Sequence, residues 1–261
     1  MRAIWTGAIG FGLVNIPVKI YSATEDSNIS LDMLDKKDHS HIKYRRVNES
    51  TGKEVTWDNI VKAYDYEGKY VVLDDKDFEK ASPEKSKILS IEQFVKEEEI
   101  DSVYFESPYF LEPQKSGEKA YALMTEALKK TKMAGIGTFV LRSKQLLGII
   151  RPYKDNMLVL NKIRFAEEIR DYEDLTIPAK KDVKPAELKM AIALIEQLTG
   201  EFNIDDFKDT YAEELMKIIE AKAKGKKLTA PKMHVVKTPA KDLMAQLKAS
   251  LGEKTARKKA S

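Results

Sequence analysis

The 261-residue chain has no cysteine, which removes disulfides and thiolate metal sites together and suits a reducing compartment. Histidine is nearly absent as well, with three in all. His39 and His41 would share one face of a strand, but a structural zinc wants four ligands, so they are read as surface residues and no metal is expected. No apolar run approaches the length of a membrane span, and the first residues lack the charged and apolar regions of a secretory signal. A soluble, cytosolic protein is expected. Phosphate-binding glycine loops, nucleophile elbows and HExxH patterns are also missing. The acidic run Glu97-Glu98-Glu99 with Asp101 does not make a metal cluster, because consecutive residues of a helix or strand point in different directions. Neither catalysis nor a cofactor is expected.

A basic excess is missing from most of the chain too. The whole sequence carries 45 Lys+Arg against 42 Asp+Glu. Residues 222–261 hold 12 of the bases and only two acids, Asp242 and Glu253, a local charge of +10, which leaves the first 221 residues at −7. A body of that sign cannot hold nucleic acid by bulk charge. Any nucleic-acid surface must gather its bases on one concave side.

What the chain does have is 43% hydrophobic residues, enough for a sizeable core in one large or two small domains. Strand patterns occupy 3–21, 42–47, 69–73, 103–111, 135–142, 146–151 and 157–165, separated by turn signals at Asn48–Gly52 and Tyr153–Asn156. Gly7, Gly10 and Gly12 are spaced like bends or close backbone approaches in a curved sheet. Ser90 with Gln93 suggests a capping box for a short helix near 91–98. A longer helix is predicted over 117–131, with Ala120, Leu123, Met124, Ala127 and Leu128 on one face.

After Pro178 the period becomes helical. Pro185 suits a first turn, Leu188, Ala191, Ile192, Ile195 and Leu198 form a stripe, and Gly200 marks its end. Thr210 and Glu213 are spaced as a capping box for a helix carrying Tyr211, Leu215, Ile218 and Ile219. Residues 222–238 read as a basic linker. A last amphipathic helix over 239–251 carries Leu243, Met244, Leu247 and Leu251 on one side.

Two segments have the chemistry of phosphate contact. In HIKYRRVNESTGKEV (41–55), a strand would put Lys43 and Arg45 on one face and Ile42 and Tyr44 on the other, with Arg46 at the turn. In LRSKQ (141–145), Arg142 and Lys144 flank Ser143 between apolar strands, and Lys162 and Arg164 alternate with Ile163 and Phe165. On charge pattern alone, each is first a solvated face.

The string RAIWTGAIGFGLVNIPVKIY (2–21) strongly resembles the opening of the bacterial Ku proteins, the DNA-end-binding factors of non-homologous end joining. The resemblance continues through YRRVNESTGKEV (44–55), YVVLDDKDFEKASPEKSK (70–87), GEKAYALMTEAL (117–128) and IEQLTGEF (195–202). It implies a β-rich α+β fold: a Ku-type β-barrel with a DNA-encircling bridge over 1–182, a helical arm for dimer packing over 183–223, and a flexible basic region with the last helix over 224–261. It makes Lys43, Arg45, Arg46 and Lys53 the first candidates for backbone-phosphate contacts, followed by Arg142 and Lys144. The implied function is non-enzymatic: a homodimeric ring threads onto double-strand break ends in the bacterial cytosol and recruits a multifunctional ATP-dependent DNA ligase. Leu243, Met244, Leu247 and Leu251 are the candidate docking face. The alternatives are an open, non-encircling nucleoid or regulatory module and, with little support, a Mg²⁺-dependent nuclease on the acidic run.

Overall fold

The computed structural model describes residues 1–81, 87–142, 144–178, 183–226, 244, 246, 247 and 250. Its contacts divide the chain into two units, Met1–Asp171 and Tyr172–Ser261.

The first unit is built on a closed barrel of seven strands. These are β1 (Trp5–Phe11), β2 (Val14–Ser22), β5 (Ile88–Lys96), β6 (Phe105–Pro113), β7 (Met133–Leu141), β8 (Lys144–Tyr153) and β9 (Met157–Ile163), ordered β1-β2-β6-β9-β8-β7-β5. A separate hairpin pairs β3 (Lys62–Tyr66) with β4 (Lys69–Leu73) across a Glu67-Gly68 turn in which both residues have positive φ, as the twist of a two-residue hairpin requires. Helix α1 (Asp75–Ala81) follows it.

Period-2 alternation explains the barrel. Along β2, Ile16, Val18 and Ile20 are buried while Pro17 and Lys19 face outward. Their side chains meet Ile9, Leu89, Phe139, Ile150, Leu158 and Leu160 in one core. Helix α2 (Glu118–Thr131) adds Tyr121, Met124 and Leu128 to it. The Tyr121 hydroxyl donates to the Leu111 carbonyl at 2.7 Å and accepts from the Leu158 amide at 2.7 Å, so a helix side chain ties β6 to β9. The buried stripe of α2 is therefore Tyr121, Met124, Thr125 and Leu128. Leu123 and Ala127, expected on the inner face, point to solvent.

Closure happens at β5, where the sequence suggested a helix. Residues 88–96 are a strand, parallel to β1 at Ala8↔Ile88, Ile9↔Leu89 and Gly10↔Ser90 and antiparallel to β7. Leu89 and Ile91 alternate inward, and the pairing shifts between Ile91 and Gln93, which breaks the period that would have identified the strand. Glycines make the room. A Cβ on Gly7 would lie 2.2 Å from the Lys87 carbonyl oxygen, and one on Gly137 would lie 1.9 Å from that of Ser90. Gly10 lies under Ile88, and Gly12 takes the positive φ of the β1–β2 turn, as the glycine spacing predicted.

Between β2 and β5 the chain makes a long detour, residues 23–87. Only β1 separates β2 from β5 in the barrel, a gap of about 10 Å at ordinary strand spacing. Because β2 runs antiparallel to β1 and β5 parallel to it, the detour leaves and re-enters at one end of the barrel. None of its described residues is buried. The strand expected at 42–47 is not formed: two isolated bridges, Leu34↔His41 and Val47↔Glu54, hold this part instead. The physical reason is the absence of any core for a regular strand to pack on.

In the second unit, α3 (Pro185–Leu198) starts on the expected proline and α4 (Thr210–Ala223) follows. Two expected caps differ. The side chain of Asp209, not Thr210, caps α4 by accepting from the Ala212 amide at 3.0 Å, and α3 ends at extended Thr199 before Gly200 is reached. Neither helix has a buried residue. No helix among the described residues is long and apolar enough to cross a membrane.

Two outcomes follow from the barrel. Gly137→Ala, which forces a methyl group onto a backbone oxygen, should destabilise the unit by about 3 kcal/mol, read as a lower urea midpoint. Burial pushes the Tyr121 hydroxyl above the usual tyrosine value, against a smaller lowering by the Leu158 amide. The unfolded chain then ionises first, so this contribution is complete below pH about 10 and is lost as pH rises through the folded value. Tyr121→Phe should remove that part of the alkaline melting profile and, by stranding two backbone groups, cost about 2 kcal/mol at neutral pH.

Candidate nucleic-acid interface

The detour is shaped by local turn chemistry. Asn48 accepts from the amides of Ser50 and Thr51, both at 3.0 Å, and Gly52 has a positive φ. This is the turn expected at Asn48–Gly52. It folds 53–57 back along 44–47, with the Asn48 amide donating to the Lys53 carbonyl and the Val55 amide to the Arg46 carbonyl, each at 2.8 Å. A second fold-back sets 33–35 against 40–42, where the Ile42 amide donates to the Met33 carbonyl at 3.1 Å. Residues 41–47 thus form the middle of a narrow ribbon.

Within that ribbon the two arginines have different partners. Arg45 forms an ion pair with Glu54 at 3.2 Å, and both side chains remain more than half exposed. Arg46 lies over the indole of Trp57, with its guanidinium carbon 3.7 Å from the ring centroid. Lys43 and Lys53 are exposed and make no ion pair among the described residues. The structure therefore brings Lys43, Arg45, Arg46 and Lys53 onto one ribbon. Trp57 and Glu54 are the residues that sequence reasoning missed. Their signal was the turn: with Val47 opposite Glu54, antiparallel register puts Trp57 diagonally across from Arg46.

The second basic group lies on the barrel. Leu141 pairs with Lys144, so Arg142 sits in the two-residue turn between β7 and β8, with a φ of 51°. That is the left-handed region, which arginine rarely occupies. Strand directions put this turn at the barrel end where the detour begins and returns: β7 runs antiparallel to β5, so β7 finishes at the end where β5 starts. The indole N–H of Trp5, at the same end of β1, donates to the Val140 carbonyl at 3.0 Å. Arg142 and Lys144 thus share an end of the fold with the feet of the detour. Their neighbours Lys162 and Arg164 are committed elsewhere. Lys162 pairs with Glu106 at 2.7 Å, and Arg164 donates to the Phe105 carbonyl at 2.8 Å.

Of the candidate docking residues, Met244 and Leu247 are helical and partly buried, while Leu243 and Leu251 lie outside the described residues. Glu97–Glu99, expected at a helix end, form a short 3-10 turn, in which Glu97 pairs with Arg151 at 2.9 Å. No group of acidic or histidine side chains among the described residues is placed to hold a metal ion.

The arrangement offers exposed cations on a ribbon shaped by local backbone hydrogen bonds. Comparison with known proteins agrees with the barrel. Residues 10–190 match the family model described as the Ku70/Ku80 beta-barrel domain. The chain is 41% identical to the non-homologous end joining protein Ku of Coxiella burnetii, covering 99% of this chain and 97% of that one. The proteins of that name from Bacillus subtilis and Archaeoglobus fulgidus are each 40% identical, covering 96% of this chain and 82% and 98% of their own lengths. With a closed seven-stranded barrel and this likeness along nearly its whole length, the chain belongs to the Ku family of non-homologous end joining proteins.

Proposed function

We propose that this protein binds the ends of broken duplex DNA as a homodimeric ring and performs no chemistry of its own. The observation that carries the reading is the detour over 23–87. It starts and finishes at one barrel end, buries none of its described residues, and holds Lys43, Arg45, Arg46 and Lys53 on one ribbon. A barrel with a one-strand gap to cross does not need such a loop. Two copies, each lending one detour, would enclose a duplex, and a closed ring loads only where the duplex has an end.

The exposed apolar side chains support a second copy. Leu31, Met33, Tyr44, Val61, Tyr64 and Tyr70 on the detour are exposed, and so are Leu188, Ile192 and Ile195 on α3. Surfaces of this kind mark protein interfaces. On this reading residues 1–182 form barrel and bridge, 183–223 an arm that packs on the partner, and 224–261 a basic region that brings a ligase through Leu243, Met244, Leu247 and Leu251. Phosphate contacts by lysine and arginine give the binding its strength without sequence preference. The protein would act in the bacterial cytoplasm, on the nucleoid.

One plasmid tests the ring. The linearised form should bind tightly and the same DNA as a covalently closed circle should not, measured by gel shift at one salt concentration. Equal affinity would favour an open module and end the ring model.

A second outcome concerns the β7–β8 turn. A two-residue hairpin asks for a positive φ at Arg142, and a residue with a long side chain adopts it at a cost of roughly 1 kcal/mol, which a residue that tolerates the left-handed region would not incur. Arg142→Asn, which tolerates that conformation, should raise the melting temperature by a few degrees. It should also weaken binding to linear duplex and lower the log–log salt slope by about 0.9 per copy. A more stable variant with unchanged slope would remove Arg142 from the DNA surface.

A further inference from the structure

Arg46 and Trp57 form the closest cation–aromatic contact among the described residues, with the guanidinium carbon 3.7 Å above the ring centroid. The indole is well exposed, 68%, and belongs to no core. It stands at the start of a 3-10 turn, Trp57–Asn59, where the Asn59 amide donates to the Thr56 carbonyl at 3.1 Å. The side chain of Asn59 also donates to the Thr56 hydroxyl at 3.0 Å. The backbone on the other side is fixed too, because the Val55 amide donates to the Arg46 carbonyl. Both partners of the stack are thus held by backbone hydrogen bonds on a ribbon that has no packing to hold anything else.

A guanidinium lying on an indole keeps its full charge and leaves its N–H edge open. Its rotamer freedom is the quantity reduced. An isolated arginine loses much of that freedom when it grips a phosphate, and a stacked one has lost part of it already. Arg45 contrasts with it, since its charge is opposed by Glu54 at 3.2 Å. Of the two adjacent arginines, Arg46 is the one prepared to donate to an incoming anion.

We infer that Trp57 is a positioning residue of the DNA interface: its indole holds the Arg46 guanidinium flat, with its N–H edge turned out to receive a backbone phosphate. The inference rests on the reading of the detour as a DNA contact. It adds an aromatic residue with no charge of its own to the surface that sets affinity.

The test measures binding of the full-length protein to linear duplex across a salt series, for Arg46→Ala, Trp57→Ala, Trp57→Phe and the double variant Arg46→Ala/Trp57→Ala. Melting of each variant is followed in parallel, and the barrel transition should not move, because neither residue is buried. Trp57→Ala should weaken binding roughly 3- to 10-fold per stack lost and flatten the salt slope in the same direction as Arg46→Ala. Trp57→Phe, which keeps an aromatic face, should recover most of the loss. The double variant should bind no worse than Arg46→Ala alone, since one lost contact cannot be lost twice. Additive losses would overturn the inference, as would weaker binding with an unchanged salt slope, which would mean that the indole touches the duplex itself. An Arg46→Ala variant that binds like the parent would remove the phosphate contact, and this inference with it. An affected Arg46→Ala beside a silent Trp57→Ala would remove the inference alone.

Discussion

Everything in the first unit depends on one narrow slot, the space that β5 occupies between β1 and β7. Strands pair about 4.8 Å apart, and at two places the backbone comes nearer than any side chain permits. Gly7 faces the Lys87 carbonyl and Gly137 the Ser90 carbonyl, each at a distance no Cβ could share. Without β5 the barrel is an open sheet of six strands with two unpaired edges. With it, the core of Ile9, Leu89, Phe139 and Leu160 is enclosed, and both ends of the 23–87 detour are fixed at one end of the barrel. The slot thus converts a packing requirement into a directional one: it decides from where the basic ribbon leaves.

The detour obeys different physics from the barrel. It has no described buried side chain, so the hydrophobic term that stabilises the barrel is missing there. Its shape comes from short-range hydrogen bonds. Asp35 and Asp38 accept from amides two residues on, Asn48 does the same, and the Asp65 carboxylate accepts from the Gly68 amide at the tip of β3–β4. Such contacts cost little to open, and segments built from them belong to the low-stability end of a protein. On the proposed function this is an advantage. A ribbon closing around a duplex gains its order from the partner copy and the phosphates, and it can release that order when the DNA leaves.

The barrel was largely legible in the sequence because burial there repeats with period 2. The strands at 103–111, 135–142, 146–151 and 157–165 appear with small shifts at their ends, and the glycines of the first hairpin do what their spacing suggested. The helix expected near 91–98 is instead β5. Ser90 and Gln93 have the spacing of a capping box by coincidence, and the shifted pairing near Glu92 hides the alternation that Leu89 and Ile91 begin. In α2 the expected face was displaced because Tyr121 is apolar enough to enter the core and polar enough to bridge two strands, a role that no periodicity reveals. The basic ribbon was legible as composition and not as geometry. Charge alone cannot distinguish Arg45, which faces a carboxylate, from Arg46, which faces an indole; the register set by the Asn48–Gly52 turn does.

An acidic body is compatible with a DNA-end binder once the barrel's cations are followed to their partners. Arg151 pairs with Glu97, Lys162 with Glu106 and Lys129 with Glu126. These are partly exposed pairs that add little stability, but each takes a cation off the barrel surface. On the proposed reading phosphate is met at one end of the barrel, by the detour and by the β7–β8 turn at its foot. A surface with few contacts binds DNA weakly per site and responds to salt with a shallow slope. On the proposed reading, that weakness is compatible with end specificity. An open module must derive its specificity from contact energy, whereas a ring derives it from topology and needs only enough charge to stay centred on the duplex. On the same reading, few contacts would also let a loaded ring slide inward and clear the terminus for a sealing enzyme.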